Sequence, residues 1–414
     1  MSYSKEEVMQ YIGETGVKFI RLAFCDAFGV QKNIAIMPNE LERAFTYGIS
    51  IDASSIPGFR SDVRSDLFLK PDPATLVQLP WRPENGRVVR MFCDLVYPDG
   101  SHFDGDARYL LKQVVEEAGR LGYEFSIGTE MEFYIFRNDE NGEPTRIPYD
   151  RAGYMDVAPD DKGENLRREI CLTLEQMGIC PESSHHEEGP GQNEIVFRHS
   201  DPVTAADNAV TFLSVVKTIA ARNGLNADFS PKPLQDMPGN GMHINLSCRK
   251  KTQEQDLTAT TERQLLEQSM AGIMDRISEI SVFLNPDRVS YQRLGNNKAP
   301  AYITWSSENR SQLIRFPAPV GGNYRAEIRS ADCTSNPYIT LALLLASGLE
   351  GIREKKKLPE PADLNLSEAP ASVLQHFRRL PGSLTEARGI ALESEFVKQL
   401  LPEKLIRNYC TENQ

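Results

Sequence analysis

Two histidines and several carboxylates crowd Ser183-Ser-His-His-Glu-Glu-Gly-Pro-Gly-Gln-Asn-Glu-Ile195, a stretch that Gly189, Pro190 and Gly191 bend sharply. Unpaired charges are costly to bury, so this is not an ordinary core strand. Acids on either side of a tight turn can point at one hard cation, which prefers oxygen ligands. The same composition also suits a solvated acidic hairpin. Glu130 and Glu132, in Gly128-Thr-Glu-Met-Glu-Phe-Tyr134, lie two apart and share one face of a strand. There they repel unless a cation or an arginine sits between them, or the face is a solvent-exposed edge. His243 follows a Gly/Pro-rich loop in which Gly239 and Gly241 allow a ligand close to the backbone. A lone strand histidine is more often a satisfied core group than a ligand. Glu327 and Arg329 again share a strand face, and Arg293, Arg310, Arg315 and Arg325 fall in the same region. The planar guanidinium fork binds carboxylates and phosphates bidentately, whereas a surface arginine pair is worth little.

The elements that must position these groups are readable from periodicity. Ser4 and Glu7 form a capping box before a first helix. Val17 to Asp26 and Val30 to Ile36 alternate as a β-hairpin with one buried face, Asp52 to Phe59 reads as a loop, and short strands fall at Thr75–Leu79 and Arg87–Cys93. Tyr97-Pro-Asp-Gly-Ser101 is the expected linker. Beyond it helices are predicted from Asp106, at Gly163–Gln176, Ala205–Asn223, Thr261–Leu284 and Asn336–Ile352. Strands are predicted at Tyr123–Ile127, Met131–Phe136, Asn193–Phe197, Gly241–Ser247, Ala301–Thr304, Gln312–Phe316 and Tyr324–Arg329. Paired strands separated by long helices give an α+β fold in two domains, residues 1–104 and 105–414.

Composition sets the outer bounds. The 414 residues are 40% hydrophobic and 25% charged, as in an ordinary globular protein. A net charge of -12 without a basic stripe argues against nucleic acid; Arg249–Lys251 and Lys355–Lys357 read as solvated loops. Seven scattered cysteines without a Cys-x-x-Cys fit free thiols in a reducing compartment. No opening apolar h-region and no apolar run near the roughly 20 residues of a membrane helix is present, so the expected location is cytoplasmic.

Taken in order, Glu-x-Glu, His-His-Glu…Gly-Gln-Asn-Glu, Gly-x-Gly-Met-His, Asn-Arg-Ser…Ile-Arg-x-Pro and Glu-x-Arg…Asn-Pro-Tyr resemble the bacterial type I glutamine synthetases. The resemblance implies a small N-terminal β-grasp-like domain and a catalytic domain whose curved antiparallel sheet is flanked by helices. It also implies a homo-oligomeric, hexameric ring with sites shared between neighbours. Glu132, Glu187 and Glu194 match the ligands of one divalent metal; Glu130, His243 and Glu327 match those of a second. Such oxygen-rich sites suit Mg²⁺ or Mn²⁺. Arg293 and Arg329 match clamps on glutamate, and Gly239 a backbone contact to it. Arg310 and Arg315 match groups that neutralise the transferring phosphoryl. Glu182, Ser247, Arg325 and Asn245, the last in place of a common histidine, fall where ATP is held. Asp52 matches an acid donated across the subunit boundary to the ammonium site.

The implied reaction is ATP-dependent: the γ-carboxylate of glutamate becomes an acyl phosphate, and ammonia displaces phosphate, with Asp52 and Glu194 shaping the ammonium site. Three departures qualify the resemblance. Lys298 stands where the loop over glutamate usually carries an acid, a charge reversal. Two alternatives follow: a γ-glutamyl ligase for another amine, one bearing a carboxylate that pairs with Lys298, or a catalytically impaired regulatory paralogue. A lysine that simply reaches solvent is a third outcome. Ser367 aligns with a tyrosine that some relatives carry as an adenylylation site, so that control is expected to be absent. The sequence ends at Asn413-Gln414, short of the extension that clasps a second ring, which leaves one ring or two open.

Overall fold

The computed structural model describes residues 3–60, 65–82, 85–251, 259–319 and 324–411, so Met1, Ser2 and the terminal Asn413-Gln414 lie outside it. The first helix, Lys5–Thr15, starts as expected. Ser4 Oγ accepts from the Glu7 amide at 3.2 Å, and the Glu7 carboxylate accepts from the Ser4 amide at 2.7 Å.

Six strands form the N-terminal sheet: Val17–Cys25 (β1), Gln31–Ile36 (β2), Ile49–Asp52 (β3), Asp66–Pro71 (β4), Val77–Gln78 (β5) and Arg87–Val96 (β6). Their order is β2-β1-β6-β4-β3, with β5 also on β6. Only β1 and β6 run parallel. The expected hairpin is β1–β2, closed by Asp26 Oδ1, which accepts from the amides of Phe28 and Val30. One buried face was expected of it. Instead Leu22, Ala23 and Phe24 are buried in succession, because this half of β1 is covered on both sides, while edge strand β2 is buried only at Ile36. Asp52 ends β3 and caps a 3₁₀ turn at Ala53–Ser55 within the segment read as a loop.

The second sheet has nine strands: Tyr123–Asn138 (β7), Pro144–Pro148 (β8), Pro181–His186 (β9), Gln192–Phe197 (β10), Leu225–Asp228 (β11), Met242–Lys250 (β12), Trp305–Ser306 (β13), Ile314–Arg315 (β14) and Ala326–Ile328 (β15). The order is β13-β14-β15-β12-β7-β10-β9, with β8 and β11 also pairing with β7. All pairs are antiparallel except the short β13–β14. The two runs read at Tyr123–Ile127 and Met131–Phe136 are one 16-residue strand that continues through Gly128. Ala301–Thr304 is not a strand: Tyr302 makes a single bridge to Arg379, and extended pairing begins at Trp305. Arg249 and Lys250 end β12 and are exposed. The long helices lie where periodicity put them, at Ala107–Arg120, Glu164–Gln176, Pro202–Arg222, Ala259–Leu284 and Pro337–Arg353.

The joint between the two sheets is rigid. Tyr97–Ser101 is a tight turn, with the Tyr97 amide donating to Ser101 O at 2.7 Å. Just beyond it, Asp106 caps helix Ala107–Arg120 and accepts from the Leu95 amide of β6. Arg108, 5% exposed, then binds Asp94 and Asp72 of the N-terminal part and Asp207 of helix Pro202–Arg222, each at 2.9 Å.

Candidate active site

Strand register explains why residues so far apart in sequence converge. His185 of β9 stands opposite Glu194 of β10, and Glu194 opposite Glu132 of β7. Glu130, two along β7, faces His243 of β12; Asn245, two along β12, faces Glu327 of β15, which faces Arg315 of β14. Because side chains two apart share a face, these registers put the whole row on one side of the sheet. Glu187 joins it from the turn after β9.

The row closes into three groups whose candidate donor atoms lie within 4.8 Å of one another: Glu130, His243 and Glu327; Glu132, Glu194 and His243; His185, Glu187 and Glu194. The first is one of the two triads expected from the resemblance. The other expected acids, Glu132, Glu187 and Glu194, are neighbours too, but Glu194 links two groups and His185 enters one of them. His185 was not singled out. Its signal was its place opposite Glu194, which needs the β9–β10 register. His186 has the opposite parity and is wholly buried, with Nε2 2.9 Å from Asp150 Oδ1 and Nδ1 2.6 Å from the Glu187 carbonyl oxygen.

Burial and mutual repulsion shape the acids of this row. Burial, together with the charges of Glu132, Glu130, Glu187 and Glu327, pushes the Glu194 carboxyl well above the usual range. Burial and the Glu187 charge raise Glu132 as well. Burial would raise Glu130 too, but hydrogen bonds from His243 and Asn245 hold it down at about 2. Carboxylates crowded at this depth could hold a divalent metal ion, whose charge would relieve their repulsion.

Arginines ring the same cavity of about 380 Å³, which Arg293, Arg310, Arg315, Arg325 and Arg329 all line. Arg329 pairs with Glu327 Oε1, and Arg315 lies 3.0 Å from Glu327 Oε2. The buried Nε of Arg315 and of Arg329 has no partner among the described residues, so each has a donor left for an anionic ligand. Arg293 is fixed by bonds to the carbonyls of Ser330 and Arg329 at 2.8 and 3.1 Å. Gly239 also lines this cavity.

A second cavity of about 890 Å³ is lined by Glu182, Asn245, Ser247 and Arg325, the four residues expected to hold ATP; Arg315, expected at its transferring phosphoryl, lines the first cavity. Glu130 and Arg325 line both, so the cavities meet there. Asn245 ties the junction, donating to Glu130 Oε1 at 2.8 Å and accepting from Arg325 Nε at 3.2 Å. Lys298 lines the first cavity, together with Tyr154 and Glu188, which sequence reasoning passed over. Asp52 is not brought to the cleft of its own chain; it is exposed and bonded to Ser54 and Ser55.

The backbone is as constrained as the side chains. The Gly241 amide donates to Glu132 Oε2 at 2.6 Å, and a Cβ at Gly241 would lie 2.6 Å from the Arg293 guanidinium and 2.8 Å from His243 Nε2. Gly241→Ala is therefore expected to displace both and lower kcat/KM about 100-fold, since shifts near 1 Å in a site carry that cost. Steady-state kinetics with varied glutamate checks it.

A curved sheet that gathers acids, imidazoles and arginines into one cleft, opening onto a second, is the framework of an ATP-dependent ligase. The glutamine synthetase β-Grasp domain family matches residues 16–98, and the glutamine synthetase catalytic domain family matches residues 104–414. The chain is 42% identical to the glutamine synthetase of Clostridium saccharobutylicum over 98% of its length and 93% of the relative's. It is also 42% identical to that of Methanosarcina mazei, over 98% and 92%. Among solved structures it resembles a GmaS/ADP complex with TM-score 0.85 at 25% identity, covering 97% of this chain and 93% of that one. Plasmodium falciparum glutamine synthetase shares the fold, with TM-score 0.84 at 21% identity and coverage of 99% and 95%. The chain belongs to the glutamine synthetase family, ligases that form glutamine from glutamate and ammonia at the expense of ATP.

Proposed function

We propose that this chain joins glutamate to ammonia, with glutamate in the smaller cavity, ATP in the larger, and the γ-phosphate at their junction. The single observation that carries this is the acid and imidazole row, which passes through Glu130 where the two cavities meet beside Arg325. Glu130, His243 and Glu327 would hold one divalent ion, and Glu132, Glu187 and Glu194 another. When bound, such ions polarise phosphoryl oxygens and offset their charge.

The protein's own groups do the rest. Arg293 and Arg329 hold the glutamate carboxylates, with Gly239 contributing backbone. Arg310 and Arg315 balance charge on the phosphoryl as it passes in line to the γ-carboxylate oxygen. Glu182, Asn245, Ser247 and Arg325 seat the nucleotide. Ammonium must lose a proton before its nitrogen can attack the acyl carbon, and Glu194 with Asp52 supplies the negative field. Nitrogen attack then expels phosphate with the former carboxylate oxygen.

Because Asp52 stands away from the cleft of its own chain, we place it at the site of a neighbour in a ring-shaped homo-oligomer. Asp52→Asn is expected to raise the KM for ammonium while leaving folding stability within about 0.5 kcal/mol, as for an exposed substitution. Titration of ammonium and urea unfolding separate the two effects. All seven cysteines are free thiols, which supports a cytoplasmic, reducing location. No described helix is long and apolar enough to cross a membrane.

Phosphate and glutamine formed in equal amounts from glutamate, ATP, Mg²⁺ or Mn²⁺ and ammonium is the expected assay result. Amide formed with other amines but never with ammonium would favour the γ-glutamyl ligase for another amine. ATP binding without phosphate release under any condition would favour the regulatory paralogue.

A further inference from the structure

An ion pair crosses the mouth of the acidic cleft. The Lys298 ammonium donates to Glu188 Oε1, and the two side chains, 56% and 36% exposed, come from opposite walls. Glu188 belongs to the turn between β9 and β10; Lys298 follows the short helix Ser290–Arg293. Beside them stands Tyr154, whose ring centre is 5.8 Å from Lys298 Nζ and whose ring stands edge-on to His185 at 5.4 Å.

Both walls are held from behind. Asn297, just before Lys298, has φ +52°, a left-handed conformation that asparagine adopts more readily than other non-glycine residues. Ser367 Oγ donates to the Asn297 carbonyl at 3.1 Å. On the other wall, the Glu188 amide donates to Glu187 Oε2 at 3.0 Å, while His185 Nε2 lies 2.9 Å from Glu187 Oε1. Any pull on Glu188 is therefore passed to Glu187 in the acid row.

We propose that Glu188 and Lys298 act together as positioning and specificity residues for the amine acceptor, a role that rests on the ligase reading above. The pair ties the Lys298 segment across the cleft and steadies Glu187 through the Glu188 amide. It also matches the lysine charge internally, so Lys298 does not serve a carboxylate on the acceptor. The selected acceptor is a small amine without a carboxylate, ammonia first. With the segment tied down, water has less access to the activated glutamate, and phosphate release stays coupled to amide formation.

The test compares the wild-type protein with Glu188→Gln, Lys298→Met and the exchanged double variant E188K/K298E, each checked for its melting temperature and for ATP binding. Either single change is expected to raise the KM for ammonium about threefold to fivefold, the range open to an exposed pair, and by more than kcat falls. Each also raises phosphate released per glutamine. Glu188→Gln, which frees Lys298, gains turnover with glycine as acceptor. The exchanged pair, with its attraction restored, returns the KM and the phosphate ratio toward wild type. Single variants that keep the wild-type KM and ratio, or an exchanged pair no better than the singles, overturn the role of the pair alone. A wild-type protein that makes no glutamine overturns the ligase reading, and this role with it.

Discussion

Glu327→Gln is expected to lower kcat about 1000-fold in a protein that still folds. Glu327 is 2% exposed, and its two oxygens face three groups at once. Arg329 and His243 share Oε1, with His243 Nδ1 at 3.6 Å, and Arg315 lies against Oε2. Glutamine keeps the shape and removes the charge. Two guanidiniums then lose the Glu327 charge, and the triad with Glu130 and His243 loses one of its two carboxylates. Removing one preorganised electrostatic partner from an active site costs on the order of 10² to 10³ in rate, and here one carboxylate serves both cation binding and arginine placement. Single-turnover formation of ADP checks the rate, and calorimetric titration with Mn²⁺ checks the cation. A Mn²⁺ affinity equal to that of the wild type would separate Glu327 from the cation.

The second large effect concerns the frame that holds the site. Arg108→Met is expected to destabilise folding by about 4 kcal/mol, because breaking a buried ion pair strands its partners. Asp72, Asp94 and Asp207 all face Arg108 at 2.9 Å; Lys112 also reaches Asp94 and Asp72, at 2.8 and 3.4 Å, the Ala74 amide donates to Asp72, and Tyr338 donates to Asp207 at 2.6 Å. That is a large part of the 5–15 kcal/mol typical of a native protein. Urea unfolding measures it. Acidity gives a second signature. Burial tends to raise Asp72, but the Arg108 and Lys112 charges outweigh it and hold the carboxyl below its ordinary value. A carboxyl depressed by folding stabilises the fold above its unfolded value of about 3.9, and that stability is lost as pH falls through the lower folded value. The variant has less of it to lose, so the gap between the two proteins narrows in acid.

How much of this was legible beforehand follows from what each signal depends on. The hairpin β1–β2 and the long helices announce themselves through local periodicity and caps such as Ser4 and Glu7. The α+β class and the β-grasp part follow from the same signals with the motif order. Strands β3, β4, β8 and β11 did not, and β9 least of all. Glu182 to Ser184 are exposed on β9, so no apolar alternation marks them. The acid row was half readable: Glu130 and Glu132 share a face by spacing alone, and His243 and Glu327 came from motif order. That His185 stands with Glu194 while His186 turns to Asp150 depends on a register between two strands, which no local pattern carries. The charge reversal at Lys298 was visible, but its partner Glu188 lies 110 residues away and meets it only across the folded cleft. The fold pairs the lysine with Glu188 and leaves its side chain 56% exposed.

The account turns on transfer of the γ-phosphoryl of ATP to a glutamate oxygen. Glutamate carrying ¹⁸O in its γ-carboxylate, turned over with ATP, Mg²⁺ and ammonium, tests this most directly through mass analysis of the released phosphate. One ¹⁸O in each phosphate formed with glutamine is the predicted result. Glutamine accompanied by phosphate without the label would contradict it.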